Sequence, residues 1–368
     1  MASADSVIRE EILHHGVISF ARFMELALYH PECGYYQAHP RTIGRSGDYF
    51  TSVSVGEIFG ELVASHFTGL VKGSSSSAFQ WVECGAHDGR FAADVLTWLE
   101  RTHPEVLHRL TYIFLEPSPI RRQWQSESVR RWGERVQWVS HFGELPPVTG
   151  IIFSNELLDA MPVHRFSWDA VEPRWVEWGV TIRGDALDWT PLACPSFSVL
   201  AAMEASGLPL TEELLAILPH GYVVEISPAA IDWWSKAAGC LQWGQLMAFD
   251  YGFTAEEGMR PERTGGTLRV YLNHRVTDEL LANPGGQDLT AHVNFTALQR
   301  AGESAGLRTE GLWRQGDFLT RVTARGLQAG LDLEWTSQQR RQFQTLVHPE
   351  HLGRSFRVLV QSRGLQDR

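Results

Sequence analysis

The polarity pattern changes character near residue 79. Before it, apolar positions recur at helical spacing. Segments 5–15 and 19–29 each give a helix one apolar face, and Phe20, Phe23, Met24 and Ala27 form the second of these. A third helix is expected over 55–70, followed by Gly73 and four serines that read as a connector. From residue 79 onward, short apolar runs alternate with helix-period segments. The pattern predicts strands at 79–84, 110–115, 136–139 and 150–154, with helices at 90–100 and 119–131. Ile151, Ile152 and Phe153 are apolar without alternation, as in a strand covered on both faces. This rhythm predicts an α/β fold with a parallel, doubly wound sheet.

The rhythm pauses at 163–192, which reads as antiparallel strands carrying Trp168, Trp175, Trp178 and Trp189. Residues 197–217 read as helical. A strand at 221–226, a helix at 229–241 and a strand at 245–250 resume the α/β style. Loops are expected at 254–266 and 283–287, a helix at 295–305, and late strands at 307–314 and 356–361. The expected division is an N-terminal helical cap or lid at 1–75, a core of 76–162 and 221–368, and an inserted substrate-recognition subdomain at 163–220. The tryptophans are expected mainly in the core of that insertion, and at least one of Trp233 and Trp234 in the interior.

Composition narrows the function. Of 368 residues, 43% are hydrophobic and 20% charged, which excludes wholesale disorder. The net charge of −11 argues against nucleic acid as the main partner, because phosphate affinity needs clustered basic residues. No apolar run is long enough for a transmembrane helix, and no secretory or transit pattern opens the chain. A bacterial cytosolic location is the resulting expectation. Cys33, Cys84, Cys194 and Cys240 lack metal or disulfide spacing, and His141, His274 and His292 lack ligand spacing, so no metal is expected. No heptad pattern suggests an oligomer.

The first strand–helix turn reads Glu83-Cys-Gly85-Ala-His87-Asp-Gly89. A dinucleotide site wants G-x-G-x-x-G around a pyrophosphate, and His87 and Arg90 occupy two of the required glycine positions. The fit is better to the E-x-G-x-G-x-G fingerprint for S-adenosylmethionine, whose ligand has no phosphate. There glycines admit the methionine portion and carboxylates take the amino group and the ribose. Glu83, Gly85 and Gly89 match, and His87 replaces the middle glycine. Glu116, in Glu116-Pro-Ser118, ends the second strand, where a carboxylate can accept both ribose hydroxyls; it can equally cap the next helix. The fourth strand ends in Ser154-Asn155-Glu156-Leu-Leu-Asp159-Ala-Met-Pro162-Val-His164, at the position where an acceptor would sit. Helix capping is the alternative reading for these polar residues.

The segment Asn155-Glu-Leu-Leu-Asp159-Ala-Met-Pro162-Val resembles the N-E-hydrophobic-hydrophobic-D-A-[LM]-P-V segment of the MidA-like methyltransferase family. Further matches occur in order. They include Gly34-Tyr35-Tyr36, Gly47-Asp48-Tyr49-Phe50-Thr51, Val224-Glu225-Ile-Ser-Pro228, Asp250-Tyr251-Gly252, Asp288-Leu-Thr290-Ala-His292 and Gln315-x-x-Phe318-Leu319. His87, and Leu157-Leu158 in place of the usual F-F, depart from the pattern.

The resemblance implies a Rossmann-like class I sheet with S-adenosyl-L-methionine as methyl donor. It also implies a protein acceptor, as for the family member that methylates an arginine during respiratory complex I assembly. Glu156 is the first candidate for orienting a guanidinium, Asp159 the second, and Asn155 for contacting cofactor or acceptor. Glu225 is a further carboxylate of interest. Glu83, Gly85, Gly89, Glu116, Ser118, Asp48 and Thr51 are the expected cofactor contacts, with Asp48 and Thr51 in a lid or, equally, at a capped helix entry. A small-molecule methyltransferase and a non-catalytic S-adenosylmethionine-binding assembly chaperone are the alternatives.

Overall fold

The apolar runs that set the α/β rhythm form one sheet. Its strands are β1 (Phe79–Cys84), β2 (Leu110–Leu115), β3 (Val136–Val139), β4 (Val148–Asn155), β5 (Leu241–Phe253), β6 (Arg308–Arg314) and β7 (Phe356–Arg363). The order is β3-β2-β1-β4-β5-β7-β6. β1 to β5 run parallel, and β7 is antiparallel to both neighbours. This is a Rossmann-like class I arrangement. The chain leaves β1 toward β2 and β3 on one side, and β4 toward β5 on the other. The β1/β4 boundary is therefore the switch point where such sheets bind ligands at their carboxyl ends.

The structure is a computed structural model that describes residues 3–38, 51–72, 74, 76–193, 199–260, 263–272, 275–277, 279–330 and 334–365. It divides into two compact units. The sheet unit comprises Thr51–Leu158, Trp233–Tyr251 and Ala301–Arg368. Its core is aromatic: Phe91 stacks on Phe153 with centroids 4.6 Å apart, and Trp81 on Tyr112 at 5.8 Å. The helix Ile58–Val71 buries Phe59, Leu62, Val63 and Phe67 in the same core. Trp234 is fully buried and donates to Gln361 Oε1 at 2.7 Å.

The other unit comprises Met1–Phe50, Asp159–Asp232 and Gly252–Arg300. The helices Ala4–His15 and Phe20–Tyr29 bury their apolar faces there, including Phe20, Phe23, Met24 and Ala27. An antiparallel sheet follows the order Ile18–Ser19, Arg174–Arg183, His164–Asp169, Val223–Ile226, and Ala186–Pro191 pairs with Arg174–Arg183. Trp168 is buried against Trp175 with centroids 5.3 Å apart.

Three expectations change. The strand expected at 221–226 in the core pairs instead with His164–Asp169. Val224 and Ile226 alternate inward to meet Phe166 and Trp168, the pattern of a strand buried on one face. The helices Ser52–Val55 and Ile58–Val71, expected in the cap, pack within the sheet unit. Residues 252–300, expected in the core, belong with the inserted strands. They include a small sheet of Arg269–Leu272, Arg275–Thr277 and Asp288–Thr290. Among the described residues no helix is long and apolar enough to cross a membrane.

Candidate active site at the carboxyl ends of the parallel strands

The glycine turn follows β1. Gly85 has φ +75°, and a Cβ there would come within 3.0 Å of Leu157 Cδ1. Gly89 has φ +79°, and a Cβ there would meet Gln125 Cα at 3.0 Å. Both positions therefore combine left-handed backbone with close approach. His87, in the middle, adopts the same left-handed region with φ +46°. A residue with a side chain takes the conformation that glycine would take freely. Gly89 precedes the helix Arg90–Thr102, whose first N–H groups face this turn.

Glu83 lies at the end of β1 and is only 4% exposed. Tyr112 Oη donates to its Oε2 at 2.7 Å. Burial pushes its carboxyl up to about 8 against that bond, with Asp88 and Asp94 adding to the rise. Glu116, just past β2, is also buried. Its Oε1 accepts from Ser118 N at 2.9 Å and its Oε2 from Gln125 Nε2 at 3.2 Å. Ser118 is the N-cap of the helix Pro119–Ser128 and makes no side-chain cap bond, so Glu116 ties down that helix entry. A carboxylate has about four acceptor sites, and these two bonds leave lone pairs available.

At the end of β4, Glu156 is left-handed with φ +50°. Its N–H donates to Phe249 O at 2.9 Å. Its Oε1 accepts from Ser52 N at 3.1 Å and from Asn155 Nδ2 at 3.0 Å. The turn is held from β5. Asp250, fully buried, accepts from Leu157 N at 3.2 Å and Leu158 N at 2.9 Å through Oδ2, and from Tyr251 N at 2.8 Å through Oδ1. Ser52 Oγ donates to Gln315 Oε1 at 3.0 Å, and Gln315 Nε2 donates to Leu346 O at 3.1 Å. Asn155 Oδ1 is buried with no hydrogen-bond partner among the described residues.

Direct bonds thus join Asn155 to Glu156, and Glu116 to Ser118; Gly85 closes on the Glu156-Leu157 turn. Thr51 is buried and caps the helix Ser52–Val55, its Oγ1 accepting from Ser54 N at 3.0 Å. Asp48 lies outside the described residues. Asp159 belongs to the other unit, where its carbonyl accepts from Ala291 N at 2.8 Å. Glu225 is in that unit too. It accepts from Thr267 N at 2.9 Å and from Arg165 Nη1 at 3.3 Å, a buried pairing within its own sheet. Ser52, Gln125 and the bonding of Asp250 were not anticipated from the sequence. Among the described residues no group of three or more His, Cys, Asp or Glu side chains gathers to hold a metal.

Residues 61–313 match the family described as "Putative S-adenosyl-L-methionine-dependent methyltransferase", well over half of the chain. The chain belongs to that methyltransferase family. S-adenosyl-L-methionine is accordingly its cofactor. The methyltransferase is 27% identical to the protein arginine methyltransferase NDUFAF7 homolog, mitochondrial, of Drosophila melanogaster, over 97% of this chain and 84% of the relative. It is 29% identical to protein arginine methyltransferase NDUFAF7, mitochondrial, of Mus musculus, over 77% of this chain and 66% of that protein. A crystal structure from Burkholderia thailandensis bound to S-adenosyl-homocysteine superposes with a TM-score of 0.83 at 28% identity. It covers 99% of this chain and 92% of the other.

Proposed function

We propose that this methyltransferase transfers a methyl group to an arginine side chain of a protein, with Glu156 orienting the guanidinium. The observation that carries the proposal is the Glu156 carboxylate at the sheet's switch point, its Oε1 held by Ser52 N and Asn155 Nδ2 while Phe249 O accepts from its backbone N–H and Asp250 from the N–H groups of the residues that follow. The names of the curated relatives support the choice of acceptor.

The residues at the strand ends fit S-adenosylmethionine. Gly85 and Gly89 are places where a Cβ would crowd the turn. Asn155 Oδ1 is a buried acceptor with no partner among the described residues. Glu83 suits the α-ammonium, Glu116 and Ser118 the ribose hydroxyls. Thr51, buried at the entry of the helix Ser52–Val55, is a further proposed cofactor contact, and Asp48 and Asp159 keep the cofactor and acceptor roles that the resemblance implies. When bound, the cofactor supplies an electrophilic methyl group.

An arginine stays protonated, with a pKa above about 12, so its nitrogens are poor nucleophiles. A carboxylate that accepts two guanidinium N–H bonds localises charge on the held nitrogens and frees electron density on the third. Holding that nitrogen about 3 Å from the methyl carbon supplies most of the acceleration. As the N–C bond forms, the methyl group's bond to the donor sulfur would break and release S-adenosyl-homocysteine, one N–H proton would pass to solvent, and the product remains cationic.

Glu156→Gln is expected to abolish methylation while leaving S-adenosyl-homocysteine affinity within about twofold, by calorimetry. Activity equal to the parent would remove Glu156 from the mechanism. Incubating a lysate with methyl-labelled S-adenosylmethionine should put label into protein. Label confined to small molecules would favour a metabolite acceptor.

A further inference from the structure

The helix Pro119–Ser128 buries one side chain, and it is polar: Gln125, at 0% exposure. A buried amide is tolerated only where its hydrogen-bonding groups are engaged. Gln125 engages both ends. Its Nε2 donates to His87 O at 3.1 Å and to Glu116 Oε2 at 3.2 Å, and its Oε1 accepts from Trp138 Nε1 at 3.0 Å. The amide orientation follows from the partners. Trp138 can only donate, and the His87 carbonyl can only accept.

The three partners lie on three separate elements. His87 sits in the glycine turn after β1, Glu116 after β2, and Trp138 on β3. The backbone joins in, because a Cβ on Gly89 would strike Gln125 Cα at 3.0 Å. We infer that Gln125 is a positioning residue for cofactor recognition: its amide locks the Glu116 carboxylate and the glycine turn in one register, so that Glu116 meets the ribose hydroxyls in a fixed orientation. The inference rests on the assignment of Glu116 to the ribose.

The geometry gives the reason. Ser118 N pins one oxygen of Glu116 and Gln125 Nε2 the other. A carboxylate held at both oxygens cannot swing, and a vicinal diol needs two acceptors in a set plane. Without the amide, the Glu116 carboxylate gains a rotational freedom that each binding event must remove. His87 contributes its carbonyl to this contact.

The test is calorimetric, with S-adenosyl-homocysteine and with its analogue lacking both ribose hydroxyls. The parent protein should prefer S-adenosyl-homocysteine by about tenfold or more, the equivalent of one or two hydrogen bonds. Gln125→Leu keeps the volume and removes both donors. It should weaken S-adenosyl-homocysteine about tenfold and the analogue less than twofold, so the preference collapses. Gln125→Glu keeps an acceptor for Trp138 and sets a carboxylate against Glu116. It should lose the preference too, which guards against a leucine variant that fails to fold. A purely structural role would weaken both ligands equally. Retention of the parent's preference in both variants overturns the inference alone. Absence of any preference in the parent overturns the ribose assignment of Glu116 and the inference with it.

Discussion

Burial pushes the Glu83 carboxyl up to about 8, against 4.5 for an ordinary glutamate. Between those values the folded protein holds a proton that the unfolded chain has released, so this group makes stability fall as pH rises through the window. Thermal melts followed by circular dichroism should show Tm decreasing from about pH 5 to about pH 8, and Glu83→Gln should flatten that slope. A slope unchanged in the variant would assign the titration to another group. His87 tests the turn in a different way. A side chain in the left-handed region costs about 1–2 kcal/mol, and glycine returns part of that gain through its unfolded-state entropy. His87→Gly is therefore expected to raise stability by about 0.5–1 kcal/mol in urea unfolding. A lower midpoint would mean that the imidazole contributes packing, for instance against Trp124, whose ring centroid lies 6.0 Å away. The acidic groups were legible because each follows an apolar strand run. Gln125 was not, since its polarity carries no meaning until His87 and Trp138 are brought beside it by folding.

The turn after β4 depends on an element far away in the chain. Asp250 reaches Leu158 N across 92 residues and is fully buried. Asp250→Ala leaves the N–H groups of Leu157, Leu158 and Tyr251 without this acceptor, at about 1–3 kcal/mol for each that stays buried and unpaired. Urea unfolding should register a loss above about 2 kcal/mol, and Asp250→Asn, which retains an oxygen acceptor, a smaller one. Equal losses would mean that the charge rather than the acceptor geometry stabilises the turn. The parallel strands themselves were readable, and β1 and β2 span the residues that the pattern marked. Their apolar runs are bounded by glycine and proline turns, so little competes with that reading. The strand Val223–Ile226 was assigned to the wrong sheet for a physical reason. A four-residue stretch, Val223-Val224-Glu225-Ile226, states that it is a strand and says nothing of which neighbour it pairs with. The choice was made by the apolar face of Phe166 and Trp168, contributed 50 to 60 residues earlier.

At the scale of the molecule, charge bears on the choice of acceptor. The chain carries −11, and an arginine-bearing substrate is drawn to it while a polyanion is repelled. Such attraction between solvent-exposed charges is screened, with a Debye length of about 10 Å at 0.1 M salt. The proposed chemistry at Glu156 would take place after docking, where bound groups are screened much less. The two steps should therefore separate in kinetics. With an arginine-rich acceptor peptide, KM is expected to rise several-fold between about 50 and 300 mM sodium chloride while kcat stays within about twofold. With the proposed buried carboxylates at the strand ends as its contacts, S-adenosyl-homocysteine affinity should change little over the same range. A KM indifferent to salt would assign acceptor recognition to uncharged contacts. A parallel fall in kcat would mean that salt reaches the methyl-transfer step itself, which the burial of Glu83, Glu116 and Asp250 argues against.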